Sequence, residues 1–422
     1  MNICKCFKCD TCETLIDCRI GMSNRDVQPF QFACPACEEN ISFVIGLPTG
    51  ELKGASDIKD FVAPFDGKNH FIDLHLNFPV SFGKYEVGST PFMKAIDELG
   101  HEKYFMLKDR LDKLDLIYKM KGDVIRVINQ FKKEDLRLFI KSLEKLPDIE
   151  LKSDKQQDVF AALYKVTSFI AEPFTIHQHN NELSEGMPSI LRGLHEANYE
   201  KTVEYVELIV NNGFLKNLLH DCLGLYPRML EFEHPVRPAL YYDYIDTESC
   251  KNIPVRISTA DFDTCNNFYK DLAEVFYRQL TMVAGLNNLI KRNDYNLFND
   301  SVRLNKRNEG IKNYASLNSF ANVDLGSKLS AIDDSSYHID TEALDSKLRN
   351  GIAHYKYVYK ESTQLITFYP SKEGMERDKN QDIYLIEFMR KMLLLFREVH
   401  TLNHVIKSLI YYSVLVLKKE IQ

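Results

Sequence analysis

The stretch DSKLRNGIAHYKY at residues 345–357 decides how the C-terminal part of the fold is predicted. Leu344, Leu348 and Ile352 recur every four residues, and this spacing predicts an amphipathic helix that buries one face. Gly351 falls inside the helix, where glycine costs about 1 kcal/mol relative to alanine. We therefore expect another backbone or a ligand to approach the helix closely at Gly351.

Three polar side chains of this helix suggest chemistry: Arg349, Asn350 and His354. Asn350 and His354 are four residues apart and share a face. Arg349 and His354 are five residues apart, which separates them by about 140° around a helix of 3.6 residues per turn. That angle is too wide for direct contact, so a two-fold partner is expected to complete the site. Asp340 or Thr341 is expected to cap the N-terminus of the helix.

An arginine, a polar residue, three further residues and a histidine, late in a helical domain, resemble the signature of the HEPN family of ribonucleases and toxins. The resemblance covers residues 255–422 and rests on Arg349, Asn350 and His354. It implies that Arg349 holds the scissile phosphate, that His354 is the general acid or base at the ribose 2′-hydroxyl, and that Asn350 positions one of them. One branch of the family has a tyrosine two residues after the histidine, but Lys356 occupies that place here, so no tyrosine role is carried over.

The family also implies a biological setting. HEPN domains are compact helical bundles that dimerise into a metal-independent RNA-cleaving cleft, and they are frequent in bacterial toxins and antiphage systems. The resemblance therefore implies an RNA substrate, a homodimer formed through the C-terminal bundle, and a trigger protein or nucleic acid sensed by the N-terminal or middle region. Two other classes stay open: a protein that binds RNA or a nucleotide without cleaving it, and a zinc-ribbon adaptor that acts through protein contacts.

The N-terminal cysteines predict a metal site. Seven of the ten cysteines fall within the first 37 residues, with the spacing of metal ligands rather than of a disulfide scaffold. Two Cys-x-x-Cys pairs, each preceded by a phenylalanine, resemble the knuckles of a zinc ribbon and predict a closed, structural Zn²⁺ site. The predicted ligands are Cys9, Cys12, Cys34 and Cys37. A shifted register or a second thiolate site is left open by three further cysteines: Cys4, Cys6 and Cys18.

Other histidines offer weaker patterns. Arg228 and His234 also place a histidine shortly after an arginine, six residues apart, but they lack a polar residue after the arginine and run into Pro235, which indicates a helix end. Three histidine pairs lack a third ligand and are interpreted as loop, packing or hydrogen-bonded residues: His70 and His75, His177 and His179, and His400 and His404.

The whole chain is predicted to be a mainly α-helical, multi-domain protein. The predicted domains are a zinc-ribbon-like module at 1–45, a small β-rich segment at 46–90, a helical middle domain at 91–240 and a HEPN-like helical bundle at 255–422. Strands are expected in the N-terminal part, at 40–45, 71–76 and 78–82. Apolar residues at helical spacing predict helices that include three stretches of the middle domain: 107–118, 160–170 and 215–225.

Four predictions concern the elements of the C-terminal bundle. Ser258 or Thr259 is expected to cap a long helix over 262–290. Residues 293–336 are polar and are expected to be irregular with short helices. Residues 365–369 predict a strand or hairpin with Gly374 in its turn, and a last helix is expected from about 382 to 419.

Composition excludes several classes. The net charge of −7 argues against a protein that coats nucleic acid nonspecifically, so any RNA contact must be local. The sequence has no phosphate-binding loop or dinucleotide fingerprint, and no carboxylate cluster that predicts a catalytic metal. The longest apolar run, at 409–417, is too short to span a bilayer, so we expect a soluble cytoplasmic protein with no membrane contact.

Overall fold

The computed structural model describes residues 2–46, 50–60, 65–175, 181–245, 255–259, 262–303, 314–332, 337–340, 342–369 and 380–421. The backbone is 57% helical with a β-rich N-terminal region, which confirms a mainly α protein. Two compact units each combine segments that are distant in sequence, whereas the predicted domains are contiguous. Unit 1 comprises Met1–Tyr118, Glu231–Phe268 and Lys347–Leu393, and unit 2 comprises Lys119–Leu230, Tyr269–Ser346 and Leu394–Gln422.

Unit 1 begins with strands. They are β1 Asn2–Cys9, β2 Leu15–Gly21, β3 Val27–Ala33, β4 Asn40–Gly46, β5 Ala55–Asp60, β6 His70–His75 and β7 Val80–Ser81. A four-stranded sheet has the order β5-β1-β2-β6, in which β2 and β6 run parallel and the other neighbours antiparallel, and β3 pairs with β4 as an antiparallel hairpin. The strands predicted at 40–45 and 71–76 are confirmed, whereas 78–82 contributes only β7.

Alternating side chains of these strands build one apolar core. In β3 the buried side chains are Gln28, Phe30 and Phe32, as the two-residue period of a strand requires. The same core contains the cysteines Cys9 and Cys34 together with apolar residues of β4 and β6. The ribbon and the β segment that follows it therefore share a hydrophobic core.

The next part of the chain is helical: α1 Pro91–Lys119, α2 Lys121–Lys132, α3 Leu136–Leu143, α4 Gln156–Thr175, α5 Asn181–Ala197, α6 Tyr199–Asn211, α7 Phe214–Glu231 and α8 Glu233–Leu240. A kink interrupts α1 at Gly100, whose φ of 72° favours glycine. The apolar positions predicted in 107–118, 160–170 and 215–225 lie on α1, α4 and α7 and, apart from the half-buried Tyr118, are buried.

The C-terminal part mixes helices and short strands: β8 Val255–Arg256, α9 Phe262–Arg292, α10 Asp300–Arg303, α11 Leu317–Ala321, α12 Leu325–Ala331, α13 Ser346–Ala353, β9 Tyr357–Lys360, β10 Leu365–Phe368, β11 Gln381–Tyr384 and α14 Leu385–Tyr411. A π-helical turn, Tyr412–Val416, follows α14. Strands β11, β10 and β9 form an antiparallel sheet in that order, and β7 pairs with β8. The short helices predicted within 293–336 are confirmed in its described residues.

The long helix predicted over 262–290 is confirmed as α9, whose described part begins at Phe262. The Ser258 hydroxyl accepts a hydrogen bond from the backbone N–H of His75 at 3.0 Å, so it is engaged elsewhere. The buried Thr259 hydroxyl has no hydrogen-bond partner among the residues described. The Thr259 hydroxyl therefore does not cap α9, and residues 260 and 261, which a Ser258 cap would bind, lie outside the described residues.

The limits of the last helix also differ from prediction. α14 begins at Leu385 rather than near residue 382, because Gln381–Tyr384 pair with β10. It ends at Tyr411 rather than near residue 419, where the backbone changes to the π-helical turn. The predicted strand at 365–369 is confirmed as β10, and Gly374 lies outside the described residues. Within the described part of the chain, every helix is too short or too polar to cross a lipid bilayer.

Candidate functional site

Two turns of equal geometry carry the predicted metal ligands. In the turn after β1, the Cys9 N–H donates to the Thr14 carbonyl at 3.0 Å and the Glu13 N–H donates to the Cys9 carbonyl at 3.0 Å. The turn after β3 repeats both bonds, from Cys34 to Glu39 at 2.8 Å and from Glu38 to Cys34 at 2.9 Å. The residue after each second cysteine is left-handed, with φ of 61° at Glu13 and 62° at Glu38. Both pairs thus fold as knuckles.

The knuckles bring the four predicted thiols together. Cys9 Sγ lies 3.6 Å from Cys37 Sγ, and Cys12 Sγ lies 3.6 Å from Cys34 Sγ. All four sulfurs lie within 4.8 Å of one another. A disulfide would need about 2.05 Å between sulfurs, whereas a tetrahedral Zn²⁺ with bonds of about 2.3 Å holds its sulfurs about 3.8 Å apart. The four cysteines are therefore compatible with a structural zinc site.

The thiols of this cluster affect one another's protonation. Hydrogen bonds from Thr14 lower the pKa of Cys12 to about 6. At Cys37 the backbone N–H of Glu39 acts to lower the pKa, but the neighbouring thiols and burial raise it to about 12. Four thiolates repel one another without a cation, and a bound divalent metal removes that repulsion by binding all of them in deprotonated form.

The three additional cysteines stay outside the cluster. Within the described residues, the four thiols are the one group of three or more potential ligands that converges. Cys6 lies inside β1, opposite Asp17 of β2, so it cannot join Cys9 in a shifted knuckle. Cys18 is fully buried in the shared core, and burial raises its pKa. Cys4 lies in β1 opposite Arg19.

The predicted motif helix is α13, and its buried face is the predicted one. Leu348 and Ile352 are fully buried, and Gly351 is buried between them. Arg349 is half-buried, and Asn350 is exposed. The helix positions these polar side chains by burying their neighbours.

The start of α13 differs from prediction. Its first residue is Ser346, so the predicted cap Asp340 lies too far upstream, and the buried Leu344 precedes the helix. The Asp340 carboxylate instead accepts the Glu342 N–H at 2.8 Å, which forms a local turn. Thr341, the alternative cap, lies outside the described residues.

The end of α13 is a Schellman cap that holds His354. The Lys356 N–H donates to the Gly351 carbonyl at 2.7 Å, and the Tyr355 N–H donates to the Ile352 carbonyl at 3.2 Å. Tyr355 is left-handed, with φ of 55°, at the position where glycine is usual. His354 is therefore the C-cap residue, and its side chain is exposed.

Gly351 is approached closely, as predicted, and the approaching groups belong to the chain itself. A Cβ at this position would lie 3.3 Å from Phe368 Cβ and 3.4 Å from the Lys356 carbonyl oxygen. Phe368 is the last residue of β10, and the Tyr369 N–H donates to the same Lys356 carbonyl at 2.9 Å. Glycine thus lets the sheet pack against the end of α13.

Strand β9 then anchors this end of α13 to the first turns of α9. The Asn266 side-chain amide donates to the Tyr357 hydroxyl at 3.2 Å, and the Tyr357 ring packs edge-on to Phe262 at 5.2 Å. Phe262 is fully buried, and it also packs on Tyr359 at 4.9 Å. The C-cap residue His354 therefore lies three residues before a firmly held strand.

The second Arg-to-His pair has the structural role that was predicted. α7 ends at Glu231 and α8 begins at Glu233, so Arg228 and His234 flank a helix junction. Arg228 pairs with Asp271, and the His234 ring packs edge-on to Tyr118 at 5.3 Å.

In two of the histidine pairs, His75, His400 and His404 are hydrogen-bonded or packing residues, as predicted, and His70 is exposed at the surface. His75 Nδ1 accepts the Asn77 N–H at 3.0 Å, and burial lowers the pKa of His75 to about 3. The Tyr226 hydroxyl lies 2.8 Å from His400 Nδ1, and burial lowers the pKa of both His400 and His404. The predicted loop histidines His177 and His179 lie outside the described residues.

Unit 1 contains a buried ionic cluster that sequence patterns do not predict. The fully buried Glu233 carboxylate accepts hydrogen bonds from Arg25 at 2.7 Å and from Arg237. Asp115 accepts from the same two arginines, at 3.0 Å and 2.8 Å. Two positive and two negative side chains balance, which indicates a structural cluster. Its members come from distant parts of the chain, so no local pattern marks them.

No family model matches this chain, and neither curated proteins nor solved structures show a significant similarity to it. The HEPN resemblance therefore rests on the motif residues of α13, and the ribbon resemblance rests on the two knuckles. Of the predicted site residues, the structure brings the four cysteines together and places Arg349, Asn350 and His354 on the last turns and the C-cap of one helix.

Proposed function

We propose that this protein is a metal-independent endoribonuclease of HEPN type, with Arg349, Asn350 and His354 as its catalytic residues. The observation that supports the proposal is the exposure of Asn350 and His354 at a capped helix end whose opposite face is buried. Histidine transfers protons near neutral pH, and a guanidinium binds phosphate without losing its charge.

In the proposed reaction, the ribose 2′-hydroxyl attacks the adjacent phosphate. His354 takes the proton of that hydroxyl or gives one to the departing 5′-oxygen, and Arg349 stabilises the charge that builds on the phosphate oxygens. The 2′-oxygen bonds to phosphorus as the bond to the 5′-oxygen breaks, so the product carries a 2′,3′-cyclic phosphate. DNA lacks the nucleophile and should stay intact.

The test compares cleavage of transfer RNA and messenger RNA by the wild type and by His354→Ala in the presence of a chelator. His354→Ala should lose at least about 10²-fold in rate, the usual contribution of a general acid or base. Arg349→Ala should lose a comparable factor and Asn350→Ala less. His101→Ala, which removes an exposed histidine of α1, is the matched control and should cleave at the wild-type rate.

Three results would contradict the proposal: full activity of His354→Ala, cleavage of DNA at a similar rate, or products without a cyclic phosphate. RNA binding by wild type and His354→Ala alike, without cleavage by either, would instead support a non-catalytic RNA-binding protein. If the wild type binds neither transfer RNA nor messenger RNA, the result would support an adaptor that acts through protein contacts.

We further propose that the active form is a homodimer and that the nuclease serves as a toxin or antiphage effector. The support for dimerisation is the angle of about 140° between Arg349 and His354 on a helix, which directs them apart within one chain. Scattering mass at micromolar concentration should show a dimer, and a strict monomer even with RNA would count against the nuclease. Expression should arrest growth, and His354→Ala should relieve that arrest.

We also propose that the four clustered cysteines bind one structural Zn²⁺. The support is the separation of 3.6 Å within each cross-knuckle sulfur pair, close to that of a tetrahedral zinc site. Elemental analysis should find one zinc per chain in the wild type, less in Cys34→Ser, and an unchanged amount in the control Cys4→Ser. Protein purified without chelator that contains no zinc would refute the assignment.

A further inference from the structure

Unit 2 contains a cleft between α5 and α14 that no part of the proposed nuclease uses. Its volume is about 670 Å³, within the range of small-molecule sites. α14 lines it with His404, Lys407, Ser408 and Tyr411, whose spacing of three and four residues places them on one helical face. The cleft is therefore a continuous groove along α14 rather than a scattered set of surface residues.

The opposite wall comes from one face of α5. Pro188, Leu191, Arg192 and His195 recur at helical spacing and line the cleft. His195 Nδ1 lies 2.6 Å from the Tyr412 hydroxyl, which ties this wall to the π-helical turn after α14. Such turns are rare and occur frequently at functional sites.

The charges of the cleft are mainly positive. Arg192 and Lys407 are its permanent cations, and Glu185 is its one acidic side chain among the described residues. Lys407 is half-buried, and in the described residues its ammonium has no carboxylate partner; it lies 5.5 Å from the centroid of the Tyr164 ring. Burial lowers the pKa of Lys407, because water solvates a half-buried ammonium less well than an exposed one. A half-buried cation of this kind gains from an anionic ligand.

The remaining lining is apolar and aromatic. Leu191 is buried, while Leu415 and Val416 are 45% and 51% exposed at the edge of the cleft. The Tyr411 hydroxyl is held by the Gln157 carbonyl at 3.1 Å, which fixes the ring. Aromatic rings beside two cations suit a ligand that combines a planar ring with an anionic group.

We propose that this cleft binds a nucleotide-class ligand, a small phosphorylated molecule that carries a planar ring. Lys407 and Arg192 bind the phosphate through charge-assisted hydrogen bonds. Tyr411 and the apolar residues of the cleft contact the ring. The ligand site is independent of the nuclease proposal, because none of the motif residues contributes to it.

Isothermal titration calorimetry with the full chain tests this assignment, using the four ribonucleoside monophosphates, the four triphosphates, the unphosphorylated nucleosides and inorganic phosphate as probes. At least one nucleotide should bind, and its nucleoside and inorganic phosphate should each bind at least tenfold more weakly. Lys407→Met keeps the aliphatic stem and removes the poorly solvated charge, so its melting temperature should be no lower than that of the wild type. Its nucleotide affinity should fall at least tenfold, as should that of Arg192→Gln.

Lys141→Gln removes an exposed lysine of α3 outside the cleft and should bind nucleotide as the wild type does. Unchanged nucleotide affinity in both Lys407→Met and Arg192→Gln would overturn the proposal, as would the failure of every nucleotide to bind. Inorganic phosphate that binds as tightly as the best nucleotide would overturn the role assigned to the ring. His354→Ala should bind nucleotide normally, which separates a failure here from a failure of the nuclease proposal.

Discussion

Tyr355 is the residue whose replacement most directly tests the architecture of the candidate active site. It occupies the left-handed position of the Schellman cap, with φ of 55°, directly after His354. A tyrosine at this position is strained, because its Cβ approaches the following carbonyl. Tyr355→Gly removes the strain and keeps the cap, whereas Tyr355→Ala keeps both the strain and the cap.

The expected magnitude follows from two opposing effects. The left-handed conformation costs a non-glycine residue about 1–2 kcal/mol, and the greater freedom of glycine in the unfolded chain offsets about 0.5–1 kcal/mol of the gain. The Tyr355 side chain is 77% exposed, so little burial is lost with the ring. Tyr355→Gly should therefore stabilise the cap by about 0.5–1 kcal/mol, and Tyr355→Ala should not stabilise it.

Amide hydrogen exchange at Lys356 is the local assay, because this N–H closes the cap by donating to the Gly351 carbonyl at 2.7 Å. Exchange should slow roughly two- to fivefold in Tyr355→Gly, as expected for local opening made harder by that free energy. Exchange that is equal or faster in Tyr355→Gly, or slowed equally by Tyr355→Ala, would refute this account. If Tyr355→Gly and Tyr355→Ala both lose RNA cleavage while only Tyr355→Gly has a more stable cap, the Tyr355 ring is needed for function and its strain is retained for that reason.

Two further predictions concern packing and pH. Gly351→Ala should lower the free energy of unfolding by about 1 kcal/mol, because the clash with Phe368 at 3.3 Å costs about 1–3 kcal/mol and the better helix propensity of alanine offsets about 1 kcal/mol. A gain in stability on urea unfolding would contradict it. Burial lowers the pKa of His75 to about 3 and of His404 to about 4, so the unfolded chain takes up protons on acidification before the folded chain does. The unfolding free energy should thus fall by about 2 kcal/mol per histidine between pH 7 and pH 5. His75→Gln should make the unfolding free energy depend less on pH over this range.

Periodicity predicted the helices well because their burial repeats locally. α4, α7 and α9 carry apolar residues at the spacing of one helical face, and no distant contact is needed to recognise them. The parallel pairing of β2 with β6 joins residues 16–21 to 70–75, and no local pattern encodes it. For the same reason the predicted last helix includes residues of β11, since the strand character of β11 depends on its partner β10.

The candidate sites also contain features that a local sequence pattern predicts and features that it does not. The two knuckles were predictable because a Cys-x-x-Cys turn is defined by its own few residues. The C-terminal cap of α13 was not predictable. Such a cap is usually marked by a glycine after the helix, and this chain has Tyr355 at that position. Gly351 correctly predicts a close approach to the helix. The sequence does not identify Phe368 as the approaching residue, because that contact depends on non-local packing.

Within unit 1, a series of contacts leads from the cysteine knuckles to α13. The Gln31 N–H of β3 donates to the Ser258 carbonyl at 2.7 Å, and the side chain of Gln364 forms two hydrogen bonds of 2.8 Å with the backbone of Ile257. Gln364 directly precedes β10, whose Phe368 packs on Gly351. A knuckle loosened by loss of the proposed Zn²⁺ can therefore disturb the helix that carries His354. If the proposed RNA cleavage is lost slowly on adding chelator, in step with the release of zinc, the loss reports on the fold of unit 1. An immediate loss of cleavage while zinc is still bound would count against the proposed metal-independent mechanism.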